Sequence, residues 1–141
     1  MSSLESLQGG RYVILKKLGE GGRAVVYKVR DTVLNRVAAV KVFKSAFLSE
    51  EARSRFMQEA LVVAKLNHPN IVSIDEVSAV PPTAKELGIK SWVKGESRVG
   101  EKPFFVLEFV DGTSLRDLLR TYPEGRCDIQ TVLRVGIDVC G

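Results

Sequence analysis

Leu18-Gly19-Glu20-Gly21-Gly22-Arg23-Ala24-Val25-Val26-Tyr27, followed after thirteen residues by Lys41, is the stretch whose reading decides the fold. Its three glycines separate two apolar runs of strand character, Tyr12 to Leu15 and Val25 to Val29. A third run, Val37 to Phe43, carries Lys41 in its middle. Apolar runs punctuated by glycine read as strand, turn, strand. Such a turn can lay backbone N–H groups over a phosphate chain, with no side chain in the way and φ > 0 available where it is needed. Two other glycine motifs are excluded by the residues. Gly-x-x-x-x-Gly-Lys-Ser/Thr is absent, and a dinucleotide fold needs a helix where Val25 to Val29 reads as a strand.

Lys41 is the second part of the pattern. A lysine inside an apolar strand is costly unless it is paired or its ammonium reaches water. It is either an edge residue with a solvated tip or the partner of a carboxylate and of phosphate oxygens. Glu59, eighteen residues on, is the candidate carboxylate.

Working outward, residues 1–10 read as a polar lead-in and Arg11 to Leu18 as the first strand. Asp31 to Arg36 suits a hairpin connection. From Ser45 to Leu66 the apolar period changes to three and four, at Ala52, Phe56, Ala60, Val63 and Ala64, which predicts a helix with Glu59 at the border of its apolar face. Ser49 is its predicted cap, Glu50 and Glu51 an acidic first turn, and Asn67-His68-Pro69 its stop. Ile71 to Val77 and Phe104 to Val110 read as the fourth and fifth strands. Between them, residues 78–103 form an insertion broken by Pro81-Pro82 and three glycines and holding the only tryptophan, Trp92. It reads as a solvated surface insertion, with a protein docking surface as the functional alternative. Ser114 predicts a cap for a helix from Leu115 to about Arg120. Asp128 caps a second helix with Ile129, Val132, Leu133, Gly136, Ile137 and Cys140 on one face, and no stop signal comes after it.

The bulk numbers bound the class. A chain of 141 residues with 45% hydrophobic and 27% charged side chains is one ordinary globular domain by size. The net charge of +4 is spread without a basic block, which fits anionic small ligands better than nucleic acid. Cys127 and Cys140 have no metal spacing and read as free thiols of a reducing, cytoplasmic setting. No signal-peptide pattern opens the chain, and no run of eighteen apolar residues predicts a membrane span.

In this order the motifs resemble the N-terminal lobe of the eukaryotic-type (Hanks-type) serine/threonine protein kinases, in their bacterial style. Leu18 to Val29 resembles the family's glycine-rich loop and Ala39-Val40-Lys41 its Ala-Ile-Lys strand. Glu59 falls at the helix-C glutamate, and His68-Pro69-Asn70-Ile71-Val72 matches the link to the fourth strand. Phe104 to Gly112 resembles the fifth strand and hinge, Ser114 to Leu119 helix D, and residues 128–141 the start of helix E.

The resemblance implies an α+β fold: a five-stranded antiparallel sheet with helix C over residues 11–110, then a hinge and the first C-lobe helices over 111–141. It implies ATP as ligand and a protein Ser or Thr hydroxyl as acceptor. Leu18, Gly19, Glu20, Gly21, Gly22, Arg23 and Ala24 would cover the phosphates. Val26 and Ala39 would lie on the adenine, with Glu108 and Val110 at its edge through the backbone and Leu107 as gatekeeper. Lys41 would hold the α- and β-phosphates, oriented by Glu59. Val63 and Ile74 would belong to an apolar spine, and His68 would be structural. Two departures qualify this. The third loop glycine is Ala24, which costs on the order of 1–2 kcal/mol if that site needs φ > 0 and little otherwise. The catalytic His-Arg-Asp-x-x-x-x-Asn and the metal-binding Asp-Phe-Gly do not occur in these 141 residues. Magnesium and a protein substrate are therefore expected of the complete enzyme only. This chain alone is expected to be inactive, truncated before the catalytic loop. The alternative expectation is a catalytically dead or pseudokinase-like nucleotide-binding or interaction module.

Overall fold

The structure, a computed structural model, describes residues 6–80 and 101–140, so Trp92 and residues 81–100 of the expected 78–103 insertion lie outside the described residues, whereas the ends of that insertion are strand, with Ser78 paired to Phe104, Ala79 to Pro103 and Val80 to Lys102. The described chain separates into two units. The first holds residues up to Asn67 together with Ser73–Phe109; the second holds His68–Val72 and the residues from Val110 on.

Among the described residues, the first unit is an antiparallel sheet with one α-helix. Its strands are β1 (Ser6–Leu7), β2 (Tyr12–Glu20), β3 (Ala24–Asp31), β4 (Arg36–Phe43), β5 (Ile74–Val80) and β6 (Lys102–Glu108), in the spatial order β1-β2-β3-β4-β6-β5. Six strands form where the motif pattern predicts five. The extra one is β1, inside the expected polar lead-in, and it pairs Ser6 with Val13 and Leu7 with Tyr12. Two residues are too short for any period to show in sequence, yet Leu7 is only 2% exposed and belongs to the core.

The core face carries Leu7, Tyr12, Val29, Ala38, Val40, Val42, Phe104 and Val106, with Ile14 and Tyr27 against it. Cross-strand register puts them together: Ile14 faces Val29, Val29 faces Ala38, Val40 faces Val106 and Val42 faces Phe104. Burying each valine, leucine, isoleucine or phenylalanine of this set contributes about 1.5–3 kcal/mol relative to leaving it in water. The sheet curls until its edges meet through side chains. Glu76 of β5 accepts from Gln8 Nε2 at 2.7 Å, Arg11 Nη1 at 2.9 Å and the Tyr12 hydroxyl at 2.7 Å. Asp31, with no exposed surface, accepts from the Val33 and Leu34 amides at 3.0 and 3.1 Å and from Arg11. This Asx turn, with Asn35 at φ 49°, makes the predicted β3–β4 hairpin.

Helix α1 (Glu50–Ala64) starts where Ser49 accepts from the Ala52 amide at 3.1 Å. It lies against β5 and is fixed by rings. Phe56 stacks on Phe105 at 5.7 Å between centroids and meets Phe43 and Phe47 edge-on at 5.6 and 5.4 Å. Arg53 adds an ion pair to Glu101 at 3.0 Å.

Strand boundaries differ from the sequence expectation. The fourth long run forms β5 only from Ile74, because Ile71 and Val72 belong to the second unit, where the Asn70 side-chain amide donates to the Asp138 carbonyl at 2.7 Å. Likewise β6 ends at Glu108, two residues short of the predicted Val110. In that second unit, α2 (Leu115–Thr121) is capped by Ser114, which accepts from the Asp117 amide at 3.1 Å. Helix α3 (Ile129–Cys140) is capped by Asp128, which accepts from the Thr131 amide at 2.9 Å. The apolar face predicted for α3 forms, and Ile129, Leu133 and Ile137 on it are exposed.

Candidate functional site

The glycine stretch is the tight end of the β2–β3 hairpin, closed by the Gly21 amide donating to the Ala24 carbonyl at 2.9 Å. None of Gly19, Gly21 and Gly22 has φ in the left-handed range, and a Cβ built on any of them meets no heavy atom within 4 Å. Neither backbone strain nor packing among the described residues therefore calls for glycine there. What glycine still provides is close approach of something else to the backbone. Ala24 has no positive φ either and lies in β3 with its methyl buried, so the departure from a third glycine carries no strain. Arg23 is exposed at the tip, and its carbonyl accepts from the Lys44 amide at 2.8 Å.

Directly opposed residues of antiparallel strands share a face. Register then builds two rows on the side opposite the core. One runs Gly19, Val26, Lys41, Phe105; the next runs Lys28, Ala39, Leu107 and on to Ile74. Val26, Ala39, Lys41 and Leu107, named from the sequence, thus come together on one face, and the glycine hairpin ends beside them. Two bulges in β2, at Leu15 and Leu18, each swap the faces of the residues after them, so together they leave Gly19 on the face that alternation from Tyr12 gives it and change sides only for Lys16 and Lys17. Leu18 is 42% exposed.

Lys41 is half-buried, and its ammonium lies 5.3 Å from the centre of the Phe43 ring. Among the described residues it forms no ion pair with Glu59. Glu59 is exposed on α1, one residue before the buried Ala60. The helix is turned so that Arg53, Phe56 and Ala60 face inward, and the aromatic cluster sets that rotation. Helix periodicity put Glu59 at the border of the apolar face, and a border position fixes direction but not reach. Val63, expected in an apolar spine, is half exposed.

The Glu108 side chain points to β5, accepting from the Ser73 amide at 3.1 Å, while its own amide donates to the Ser73 carbonyl at 3.2 Å. Val110 belongs to the second unit and is exposed. His68 Nδ1 accepts from the Asn70 amide at 3.0 Å, a local turn contact. Sequence reasoning missed Lys28. It shares a row with Ala39 and Leu107, and its ammonium sits 4.5 Å from the centre of the Phe109 ring. The two-residue alternation from Val26 was the available signal.

Comparisons with known proteins agree with this fold. The family model described as Protein kinase domain matches residues 12–135. A probable serine/threonine-protein kinase of Clostridium perfringens is 33% identical over 132 residues, which is 93% of this chain and 16% of that protein. The probable serine/threonine-protein kinase PknB of Bifidobacterium longum is 37% identical over 117 residues, 82% of this chain and 15% of the relative. This chain thus spans about one-sixth of the length of these relatives. Among solved structures, the kinase domain of Mycobacterium tuberculosis PknI aligns with a TM-score of 0.71 at 21% identity, covering 99% of this chain and 48% of that one, a likeness of fold. With the family matched from β2 well into α3, and the glycine hairpin, the strand lysine and the capped helix in the family's order, this chain belongs to the protein kinase domain family.

Proposed function

We propose that this chain is the ATP-binding part of a serine/threonine protein kinase, which in full transfers the γ-phosphoryl group of ATP to a protein hydroxyl. One observation carries the proposal: Val26, Ala39, Lys41 and Leu107 share a face beside a hairpin whose glycines serve neither φ nor internal packing. Small and branched apolar side chains at Val26, Ala39 and Leu107 suit a flat base, and Ala39 leaves room for it. Leu18 to Ala24 would cover the phosphates with backbone N–H groups, and Lys41 would place one cation on them. Glu59 would orient Lys41 only after α1 turns, since the two are apart in this structure. Bound ATP supplies the phosphoryl group; magnesium would be held by groups that these 141 residues do not contain. By itself the chain holds nucleotide without a base to activate a hydroxyl. Use of ATP and two free cysteines favour a cytoplasmic setting.

The test is titration of the chain with a fluorescent N-methylanthraniloyl ATP. Saturable binding is expected, weakened about tenfold or more in Lys41→Met, the worth of a charge-assisted hydrogen bond. Failure of the wild type to bind, or equal binding by Lys41→Met, contradicts the proposal.

A further inference from the structure

The carboxylate inside the glycine hairpin is held by two lysines. Glu20 Oε1 accepts from Lys44 Nζ at 2.6 Å, and Oε2 is paired with Lys17. Together these ammoniums hold the Glu20 carboxyl well below the usual carboxylate range. Lys44 also donates its amide to the Arg23 carbonyl at 2.8 Å, so one residue grips both limbs of the hairpin. The bulge at Leu18 brings Lys17 and Glu20 to the same side. Register places Glu20 in a row with Val25 and Val42, on the face opposite the row of Gly19, Val26 and Lys41.

We propose that Glu20 and Lys44 form a strap on the outer side of the hairpin. It fixes the lift of the glycine turn over a nucleotide triphosphate and cancels the one negative charge the turn carries. Both are positioning residues acting through the loop backbone; neither contacts the phosphates. This rests on the ATP reading above. An uncompensated carboxylate in the turn would repel the phosphates, and a hinge free at β4 would leave Gly21 and Gly22 without a fixed height. All three side chains are roughly half exposed, so the effect is modest and salt-sensitive.

Two measurements on the full chain separate the outcomes. Amide exchange without nucleotide reads the strap directly: Lys44→Met should speed exchange at Gly21 and Lys44 by about two- to fivefold, and Lys44→Arg should leave it unchanged. Titration with N-methylanthraniloyl ATP and N-methylanthraniloyl adenosine reads the positioning. Lys44→Met should weaken the triphosphate by a similar factor and leave the nucleoside unaffected, and in a Glu20→Gln background it should have no further effect. Equal exchange in wild type and Lys44→Met overturns the strap while leaving nucleotide binding intact. A loss of triphosphate binding that persists in the Glu20→Gln background overturns the positioning role in favour of a direct phosphate contact. A wild-type chain that binds neither probe overturns the ATP reading itself.

Discussion

Removing the Asp31 carboxylate should loosen the first unit from the corner where β2 begins and β3 ends. Asp31 has no exposed surface and accepts from the Val33 and Leu34 amides at 3.0 and 3.1 Å and from Arg11 Nη2 at 3.3 Å. In Asp31→Ala the two turn amides can turn to water, because Val33 and Leu34 are exposed, so together they cost about 1 kcal/mol. The Arg11 pair adds to this only modestly, because the guanidinium reaches solvent. With the cavity left by the side chain, a total of about 2–4 kcal/mol is expected. Asp31→Asn keeps an acceptor for the turn and should lose about half of this. The two variants also differ in pH dependence. Burial pushes the Asp31 carboxyl up, but hydrogen bonds from Leu34, Arg11 and Val33 outweigh it, and the net shift is downward. A depressed folded value means its stabilisation is present above the unfolded carboxyl value near pH ~4 and is lost as pH falls through the folded value. The gap between wild type and Asp31→Asn should therefore close below about pH 4. Urea titration followed on the amide signals of Val29, Val40 and Val106 reads the first unit alone. A loss under 1 kcal/mol for Asp31→Ala, or a gap that widens in acid, would refute this corner as the clasp of the sheet.

Phe56→Ala should cost about 2–4 kcal/mol, since one half-buried ring meets three others, and should speed amide exchange in α1 more than in β4; equal protection in α1 contradicts the ring cluster as its anchor. Glu59→Gln should change stability by less than about 0.5 kcal/mol, because Glu59 is exposed and apart from Lys41; a loss above 2 kcal/mol would reveal a buried pair. Tyr12 ionisation is pushed far up by burial and then by its bond to Glu76. The raised folded value keeps stability whole below the unfolded value near pH ~10 and drains it above, so an alkaline unfolding limb is expected that Tyr12→Phe flattens. An identical limb in the variant assigns it elsewhere.

Local chemistry was legible in the sequence; register was not. Ser49, Ser114 and Asp128 were read as caps because a cap needs only the next three residues. The glycine hairpin and the Lys41 strand were legible as runs and breaks. The ends of β5 and β6 slipped because Ile71, Val72 and Val110 are as apolar as the residues that pair, and nothing local tells them apart; the neighbouring Asn70 instead bonds to Asp138, far along the chain. β1 escaped because two residues carry no period. In the site, the shared face of Val26, Ala39, Lys41 and Leu107 comes from alternation, whereas the Glu20 strap depends on a bulge at Leu18 that no pattern announces. The separation of Lys41 and Glu59 depends on the rotation of α1, which four phenylalanines set.

The central claim is that nucleotide binds the Lys41 face of the sheet. Methyl resonances separate the two faces: Val26, Ala39 and Leu107 report one, and Val29, Val40 and Val106 the other. Adding the β,γ-imido analogue of ATP should shift the first set progressively to saturation and leave the second in place. Shifts confined to the Val29, Val40 and Val106 set, or none in either, would contradict it.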